Sequence, residues 1–357
     1  MSQILVTGAT GLLGRHLVQS LRDRGDSVRA LVLPEDDTSE LEQQGVAVFR
    51  GDLREQDTLV NAMRGVNTVF HLAGMMGRWL SISDYVAVNV TGTENVCVAA
   101  QENYVRRLVH VSSWTVYGMG IDGVAREDSP FAPLSEPYAI TKAEGDRVVQ
   151  RFIASHQLPA VIIRPDTFFG PGDRIHFGRM ADRLRAGKGI VIGSGRNRLP
   201  FVYVSDVVQG LLLAADCDRA VGQAYNIAND QLLTQEQLWH AIAEAVGAAP
   251  PRVHVPYLPL YTAAAIIERT AVLARTKQQP LITRVGVKLF GTENCHAIDK
   301  ARNELGYQPR VPVSEGVRLA ADWYLRHQNL RAAGAVKVEA KSTFDGDTGV
   351  LDPEKAT

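Results

Sequence analysis

The chain of 357 residues has little that would hold a metal, a disulfide framework or a nucleic acid. Its three cysteines, Cys97, Cys217 and Cys295, have the spacing of neither a metal site nor a disulfide framework. The 38 basic and 39 acidic side chains nearly cancel, and a net formal charge of −1 gives no electrostatic footprint for nucleic acid or an anionic membrane. These features predict a cytoplasmic protein with a small-molecule partner and no metal.

Long apolar runs are also missing. The most apolar late stretch, residues 257–267, soon meets Glu268 and Arg269, whereas a bilayer-spanning helix needs about 20 apolar residues. We interpret this stretch as an ordinary buried helix; the alternative is an apolar lid or surface that helps take up a greasy substrate. An apolar strand begins within three residues of the start, so we expect no secretory signal peptide.

What the first half does contain is a regular alternation of strand and helix patterns. The helix patterns cover residues 85–103 and 138–155. Short segments rich in Val and Ile have the composition of strands buried on both faces, and they lie at residues 4–7, 27–32, 46–49, 68–72, 108–111 and 161–164. This alternation predicts an α/β fold with a Rossmann-type, doubly wound parallel sheet, whose carboxyl edge binds ligands.

After Pro165 the alternation loosens, which predicts a second, smaller lobe. We assign residues 1–165 to a dinucleotide-binding domain, to which residues 200–230 return through a strand–helix unit at 201–214. Residues 166–199 and 231–330, with helices at 235–246 and 261–274, would form an α+β substrate lobe. Residues 331–357 lack apolar periodicity and are predicted to be a disordered tail.

A glycine-rich turn follows the first strand. Gly8 permits a tight turn, Gly11 lets the backbone approach a pyrophosphate, and Gly14 permits close packing of helix on strand. Backbone N–H groups at the start of the next helix would face the phosphates. The predicted cofactor contacts in this turn are Gly8, Thr10, Gly11, Leu12, Leu13 and Gly14.

Tyr138 and Lys142 are four residues apart, so they share one face of a helix. A phenol has an ordinary pKa near ~10, and a neighbouring ammonium would favour the phenolate. Ser113, at the end of a predicted strand, supplies a hydroxyl. Together these three residues predict a proton-transfer site for an alcohol or a carbonyl.

These motifs resemble those of the extended short-chain dehydrogenase/reductase family over about residues 3–328. The glycine turn, Ser113 four residues before Tyr117-Gly118, and Tyr138 with Lys142 are similar to its signatures. Smaller family marks fall in the same order along the chain: Gly51-Asp52-Leu53, His71-Leu72-Ala73-Gly74, Asn89, Arg164-Pro165 and Gly170-Pro171-Gly172-Asp173.

The resemblance implies roles for individual residues. Tyr138 would exchange the hydroxyl proton, Ser113 would orient the oxygen, and Lys142 would lower the pKa of Tyr138 and bind the nicotinamide ribose. Asp52 would accept a hydrogen bond from the adenine amino group or, alternatively, cap a helix. Asn89 would fix the position of a helix and of a proton path nearby. The further positions expected to contact the cofactor are Asp52, Leu53, Ala73, Asn89, Tyr138, Lys142 and Pro165.

The second strand indicates which cofactor is bound. An acidic residue at its end would accept from the adenosine ribose and select NAD, whereas an arginine would select NADP. Close NADP-using relatives place arginine where Leu33 stands here, and the carboxylates of residues 35–37 would repel a phosphate. We therefore expect NAD, with NADP bound through Arg15 or Arg29 as the alternative; those carboxylates would then be a solvated loop.

The reaction and substrate follow from what the chain has in place of other family motifs. Family dehydratases carry an Asp-Glu pair where Trp114-Thr115 stands, and many sugar-nucleotide enzymes carry Asn at Thr167. Residues 197–204, 266–268 and 283–287 resemble the 3β-hydroxysteroid dehydrogenase and sterol dehydrogenase branch. We predict an oxidoreductase that interconverts a secondary alcohol and a ketone on an apolar, sterol-like or 3-oxoacyl-like substrate.

Two other functions stay open. A nucleotide-sugar 4-epimerase would need cations for a pyrophosphate, and Arg174, Arg179 and Arg196 would serve. A non-catalytic NAD(P)-sensing regulator is the other.

Trp79 and Leu80 would add an apolar wall to the substrate site. We also expect the protein to be a homodimer.

Overall fold

The computed structural model describes residues 3–274, 276 and 278–332. Its centre is a seven-stranded, entirely parallel sheet with the strand order β10-β6-β5-β4-β1-β2-β3. The predicted Rossmann-type sheet is therefore confirmed. The strands are β1 (Gln3–Thr7), β2 (Ser27–Val32), β3 (Ala47–Arg50), β4 (Thr68–His71), β5 (Arg107–Val111), β6 (Ala160–Pro165), β7 (Thr167–Phe169), β8 (Val191–Ile192), β9 (Phe201–Tyr203), β10 (Ala224–Ile227) and β11 (His254–Val255).

Helices cover both faces of this sheet, as buried parallel strands require. On one face α1 packs beside α8, and on the other α3, α5 and α6 pack together. The helices are α1 (Leu12–Asp23), α2 (Ser39–Gln43), α3 (Gln56–Met63), α4 (Ile82–Val86), α5 (Gly92–Glu102), α6 (Pro137–His156), α7 (Phe177–Arg185), α8 (Val204–Asp216), α9 (Gln235–Ala245), α10 (Tyr257–Leu273), α11 (Arg284–Gly291), α12 (Asp299–Leu305) and α13 (Val313–Ala332).

The predicted helix at residues 85–103 has a more complex form. Helical structure starts earlier, at Ile82, and a π-helical segment, Ala87–Thr91, joins α4 to α5. The segment has Asn89 at its centre. Such π-turns are frequent at functional sites, and apolar periodicity does not reveal them.

The strand–helix unit at residues 201–214 divides between two sheets. Its strand, β9, pairs with β7 in a separate two-stranded sheet and not with the central one, whereas its helix, α8, packs on β5 and β6. The central sheet is completed by β10, which pairs with β6. Another two-stranded sheet is formed by β8 and β11.

Helix α10 corrects our interpretation of residues 257–267 as a buried helix. It begins at Tyr257 rather than at residue 261, and of its side chains only Ala264 is fully buried. No helix in the described part of the chain is both long and apolar enough to cross a membrane. At the C-terminus, α13 continues to Ala332, two residues into the predicted tail; residues 333–357 lie outside those described.

Candidate active site

The predicted site residues gather at the carboxyl edge of the sheet, around the switch in strand order between β1 and β4. The glycine turn fits there only without side chains. Gly8 has a positive φ of 70°, and a Cβ on it would lie 2.8 Å from the backbone nitrogen of Ala73. A Cβ on Gly14 would lie 2.1 Å from the Gly8 carbonyl oxygen. Both contacts are too short for any other residue.

The N-terminus of α1 is open. Its N-cap, Gly11, has no side chain to satisfy the first N–H groups, and no side chain among the described residues is seen to cap them. Leu13 is buried in the core, so it would contact a ligand through its backbone, and Leu12 lies beside Gly172. Uncapped N–H groups at a helix start are a binding site for phosphate. The turn therefore fits a dinucleotide.

Asp36 lies against the glycine turn, which the sequence did not reveal. The Thr10 hydroxyl donates to its carboxylate at 2.9 Å, and the Leu33 N–H donates at 3.3 Å. The Arg50 guanidinium fastens the surrounding loop through the carbonyl oxygens of Pro34 and Asp36. A carboxylate is thus held beside the turn at the end of β2, where the adenosine ribose of a dinucleotide binds.

The two arginines considered for NADP have other partners. Arg29 lies early in β2 and donates to the carbonyl oxygens of Ala62 and Arg64 at the end of α3. These groups lie at the amino end of the sheet, opposite the glycine turn. Arg15 donates to the Thr10 carbonyl oxygen and pairs with Glu40 at 3.0 Å.

Asp52 does not start a helix. The helix that follows, α3, begins at Gln56 with Glu55 as its N-cap, so the alternative role of Asp52 as a helix cap is wrong. Burial opposes ionisation of Asp52, but hydrogen bonds from the Arg54 side chain and backbone outweigh it and lower the pKa. Asp52 is therefore an ionised acceptor at the carboxyl edge, and Leu53 is buried behind it.

Tyr138 is the second residue of α6, and its phenol lies close enough to the Ser113 hydroxyl for Ser113 to lower its pKa. The Ser113 oxygen also accepts from the Thr115 hydroxyl at 2.9 Å and the Thr115 N–H at 3.2 Å, which leaves its own proton to donate toward the phenol or a substrate oxygen. Burial raises the pKa of Tyr138 to about 12. The Ser113 hydroxyl lowers this pKa, and the Glu136 carboxylate raises it. The expected lowering of this pKa by Lys142 is not seen.

Lys142 is buried one turn further along α6. Its ammonium donates to the Val111 carbonyl oxygen at 2.6 Å. Burial lowers the pKa of Lys142 to about 8, and the carboxylate of Asp146 opposes this shift. Among the described residues, the Lys142 ammonium is nevertheless the cation nearest to Gly74. A Cβ atom added to Gly74 would lie 3.9 Å from it.

Asn89 connects the loop after β4 to α6. Its amide oxygen accepts from the Met75 N–H at 2.7 Å, and its amide nitrogen donates to the Met75 carbonyl oxygen and the Thr141 hydroxyl. Thr141 lies between Tyr138 and Lys142 in the sequence. The π-helical segment around Asn89 is thus hydrogen-bonded to α6.

Sequence reasoning missed the buried histidines under the site. His71 bonds through its two ring nitrogens to the hydroxyls of Thr7 (2.9 Å) and Thr93 (3.2 Å), and its ring lies 5.2 Å from that of His110. Burial lowers the pKa of His71 to about 3, and the charge of Lys142 adds to this. Burial also lowers the pKa of His110, and the charges of Lys142 and Arg164 add to this, so both histidines are neutral.

Glu136 was also missed. It is the N-cap of α6, where its carboxylate accepts from the N–H groups of Tyr138 (3.0 Å) and Ala139 (2.9 Å). Glutamate is not among the preferred N-cap residues, but Pro137 at the first helical position was a usable signal. Burial raises the pKa of Glu136, and the nearby charge of Glu268 raises it further.

The positions predicted to bear on the substrate differ in their burial and in their contacts. Thr167 accepts from the Trp114 indole at 3.1 Å, and Trp114 in turn contacts the ring of His296. Buried behind them, the His296 Nδ1 lies 2.5 Å from a carboxylate oxygen of Asp166, the residue that follows β6. Leu80 is exposed, Trp79 is half-buried, and the three arginines considered for a pyrophosphate are exposed: Arg174, Arg179 and Arg196.

Comparisons with known proteins match this geometry. Residues 4–228 match the profile of the NAD dependent epimerase/dehydratase family. A 2-alkyl-3-oxoalkanoate reductase from Stenotrophomonas maltophilia is 33% identical, over 88% of this chain and 97% of the relative. A 3β-hydroxysteroid-dehydrogenase/decarboxylase (isoform 1) from Arabidopsis thaliana is 31% identical, over 95% and 83%. The solved structure of MoeE5 in complex with UDP-glucose and NAD is 28% identical, covers 92% of this chain and 100% of that one, and has a TM-score of 0.72.

Proposed function

Since the chain belongs to the NAD dependent epimerase/dehydratase family, and within it to the extended short-chain dehydrogenase/reductases, we propose that it interconverts a secondary alcohol and a ketone on an apolar, 3-oxoacyl-like or sterol-like substrate. The observation that carries this proposal is the placement of the Tyr138 phenol next to the Ser113 hydroxyl, with Lys142 one turn further along α6. The chain is an NAD(P)-dependent dehydrogenase or reductase of the extended type. Its substrate is the proposed part.

In this proposal two side chains handle the oxygen and its proton. Ser113, oriented by Thr115, donates to the substrate oxygen, and Tyr138 gives or takes the hydroxyl proton. Lys142, whose ammonium lies beside the Val111 carbonyl oxygen and Gly74, would bind the nicotinamide ribose. A nicotinamide bound over this edge supplies or accepts the hydride.

We further propose NAD rather than NADP as the preferred cofactor. Asp36 supports this, because its carboxylate lies beside Thr10 at the end of β2, where it would accept from ribose hydroxyls and repel a 2′-phosphate. Arg29 supports it as well, since its guanidinium is held at the opposite end of the sheet.

The apolar substrate rests on Thr167 and Trp114. Thr167 has no side-chain amide to offer a nucleotide, unlike the Asn of many sugar-nucleotide enzymes. Its hydroxyl accepts from the Trp114 indole. The named relatives, a 2-alkyl-3-oxoalkanoate reductase and a 3β-hydroxysteroid-dehydrogenase/decarboxylase, act on substrates of this apolar kind. We place the substrate of this chain in the same class.

The test is reductase activity with NADH on a panel of 3-oxoacyl compounds, 3-oxosteroids and UDP-sugars. We expect turnover on an apolar ketone. In Tyr138→Phe that turnover should fall by about 10²-fold or more, as the loss of a general acid implies, with NADH affinity kept. Tyr104→Phe is the matched control, because Tyr104 is exposed on another surface. Turnover of Tyr138→Phe near that of the unmodified protein would contradict the assignment.

A nucleotide-sugar 4-epimerase is the second candidate, supported by the likeness to MoeE5, which was solved with UDP-glucose and NAD. In the same panel it would be shown by interconversion of UDP-glucose and UDP-galactose without net oxidation of the cofactor. Tight NADH binding without turnover of any compound would favour the sensing regulator.

A further inference from the structure

Helix α10 and the loop after it expose an unusual amount of apolar surface. Half of the large apolar side chains that are exposed in the described residues lie between Val253 and Leu281. The inner side of α10 is fixed, since Ala264 packs in a cluster with Ile192 and Val287. We call the outer side the α10 surface, and define it by Leu258 (70% exposed), Ile266 (63%), Val272 (63%), Leu273 (83%) and Leu281 (89%).

The same part of the chain is strongly basic. Residues 250–284 contain five basic residues and one acidic residue, a net formal charge of +4 in a chain whose total is −1. The single acidic residue, Glu268, is neutralised by Arg284 at 2.5 Å. Arg252 and Arg269 are exposed. The Arg183 guanidinium donates to the Leu281 carbonyl oxygen at 3.1 Å, so it adds a further positive charge at the edge.

An apolar surface with exposed arginines beside it, in a segment of net formal charge +4, is complementary to an anionic lipid bilayer, where apolar side chains enter the interface and basic ones meet the headgroups. A second copy of this chain is a poor partner for the same surface, because pairing would bring two clusters of +4 together. The near-zero total charge suggested no membrane contact, but the charge is unevenly distributed. We propose that the protein docks peripherally on anionic membranes through the α10 surface.

The inner side of α10, opposite the α10 surface, lies near the N-terminus of α6, which carries Tyr138. Glu268, on the inner side of α10, is near enough to Glu136 for their carboxylates to repel each other, and Glu136 caps α6 at Tyr138. A docked molecule would therefore hold its cleft close to the bilayer, from which an apolar substrate would be drawn. That link to the substrate rests on the proposed function, whereas the docking does not.

Vesicle flotation of the full chain, without cofactor or substrate, tests the docking. We expect binding to vesicles of phosphatidylcholine mixed with phosphatidylglycerol, little binding to phosphatidylcholine alone, and weaker binding at high salt. Leu273→Glu and Leu281→Glu should each lower the partition coefficient by about tenfold or more, because each removes a buried leucine from the interface. Arg269→Glu should lower it by about fivefold or more.

The matched controls are Tyr104→Glu and Arg106→Glu, an exposed apolar and an exposed basic residue elsewhere on the chain; both should bind as the unmodified protein does. Absence of binding to the mixed vesicles overturns the proposal, and so does equal loss in the control variants. An oligomer that Leu273→Glu converts to monomers, without vesicle binding, would show a self-association surface instead. Because flotation is measured without cofactor or substrate, its outcomes can be interpreted even if the reductase assay fails.

Discussion

Replacing Lys142 by methionine should stabilise the fold while it removes activity. Burial lowers the pKa of Lys142 from 10.5 to about 8, so the folded state binds this proton more weakly than the unfolded state does. At about 1.4 kcal/mol per pKa unit, the buried charge costs about 3 kcal/mol. Methionine also loses the hydrogen bond to the Val111 carbonyl oxygen, worth about 1 kcal/mol. Near neutral pH we expect the free energy of unfolding to rise by about 2 kcal/mol.

The pH dependence makes this prediction specific. The folded pKa of Lys142 is depressed, so its destabilising effect is fully present below about pH 8 and disappears as the pH rises toward the unfolded value of 10.5. Urea unfolding of the unmodified protein and of Lys142→Met, without cofactor and over this pH range, measures the difference. It should shrink steadily with rising pH.

The control for this measurement is Lys188→Met, because Lys188 is exposed and its replacement should change neither the stability nor its pH dependence. Two results would refute the reasoning. One is a Lys142→Met variant less stable than the unmodified protein near neutral pH. The other is a stability difference that does not vary with pH, which would mean that the ammonium is not the destabilising group.

Three further predictions follow from the described contacts. Asp36→Asn should raise the affinity for NADPH relative to NADH by about tenfold, since it removes one charge beside the 2′-position; an unchanged ratio of the two dissociation constants would contradict the role of Asp36. Asn89→Ala removes the hydrogen bonds to Met75 and Thr141 and should lower the free energy of unfolding by about 2 kcal/mol; a loss within measurement error would count against it. Glu136→Gln removes a charge that raises the pKa of Tyr138, so the pH–rate profile for alcohol oxidation should move to lower pH; an unmoved profile would refute the coupling.

The parts of the structure that the sequence predicted are the ones encoded locally. Buried parallel strands are continuous apolar runs, and for this reason six of the seven strands of the central sheet were placed within two residues. Tyr138 and Lys142 share a helix face because of their spacing alone. The glycine turn was placed by the requirement for backbone without side chains, which Gly8 and Gly14 meet.

What the sequence did not reveal depends on contacts between distant segments. Asp36 meets Thr10 only because the chain turns back after Leu33. The pKa of Tyr138 depends on burial and on Glu136 more than on Lys142. The burial of α10 was mispredicted because apolar composition does not tell whether the protein itself or another surface covers a helix.

The position of β10 has a consequence for how such an enzyme changes its specificity. All six residues of β6 are buried, and β10 covers one of its edges although β7, α7, β8 and β9 intervene in the chain. A different substrate lobe therefore cannot be attached by a single recombination junction after Pro165. A second junction is needed before Ala224, so that β10 is kept beside β6. A fragment that stops at Pro165 would leave the edge of β6 unpaired, and we expect it to aggregate. Because α9 to α13 follow β10, exchange of all the chain outside the central sheet needs an insertion between β6 and β10 together with a fusion after Ile227.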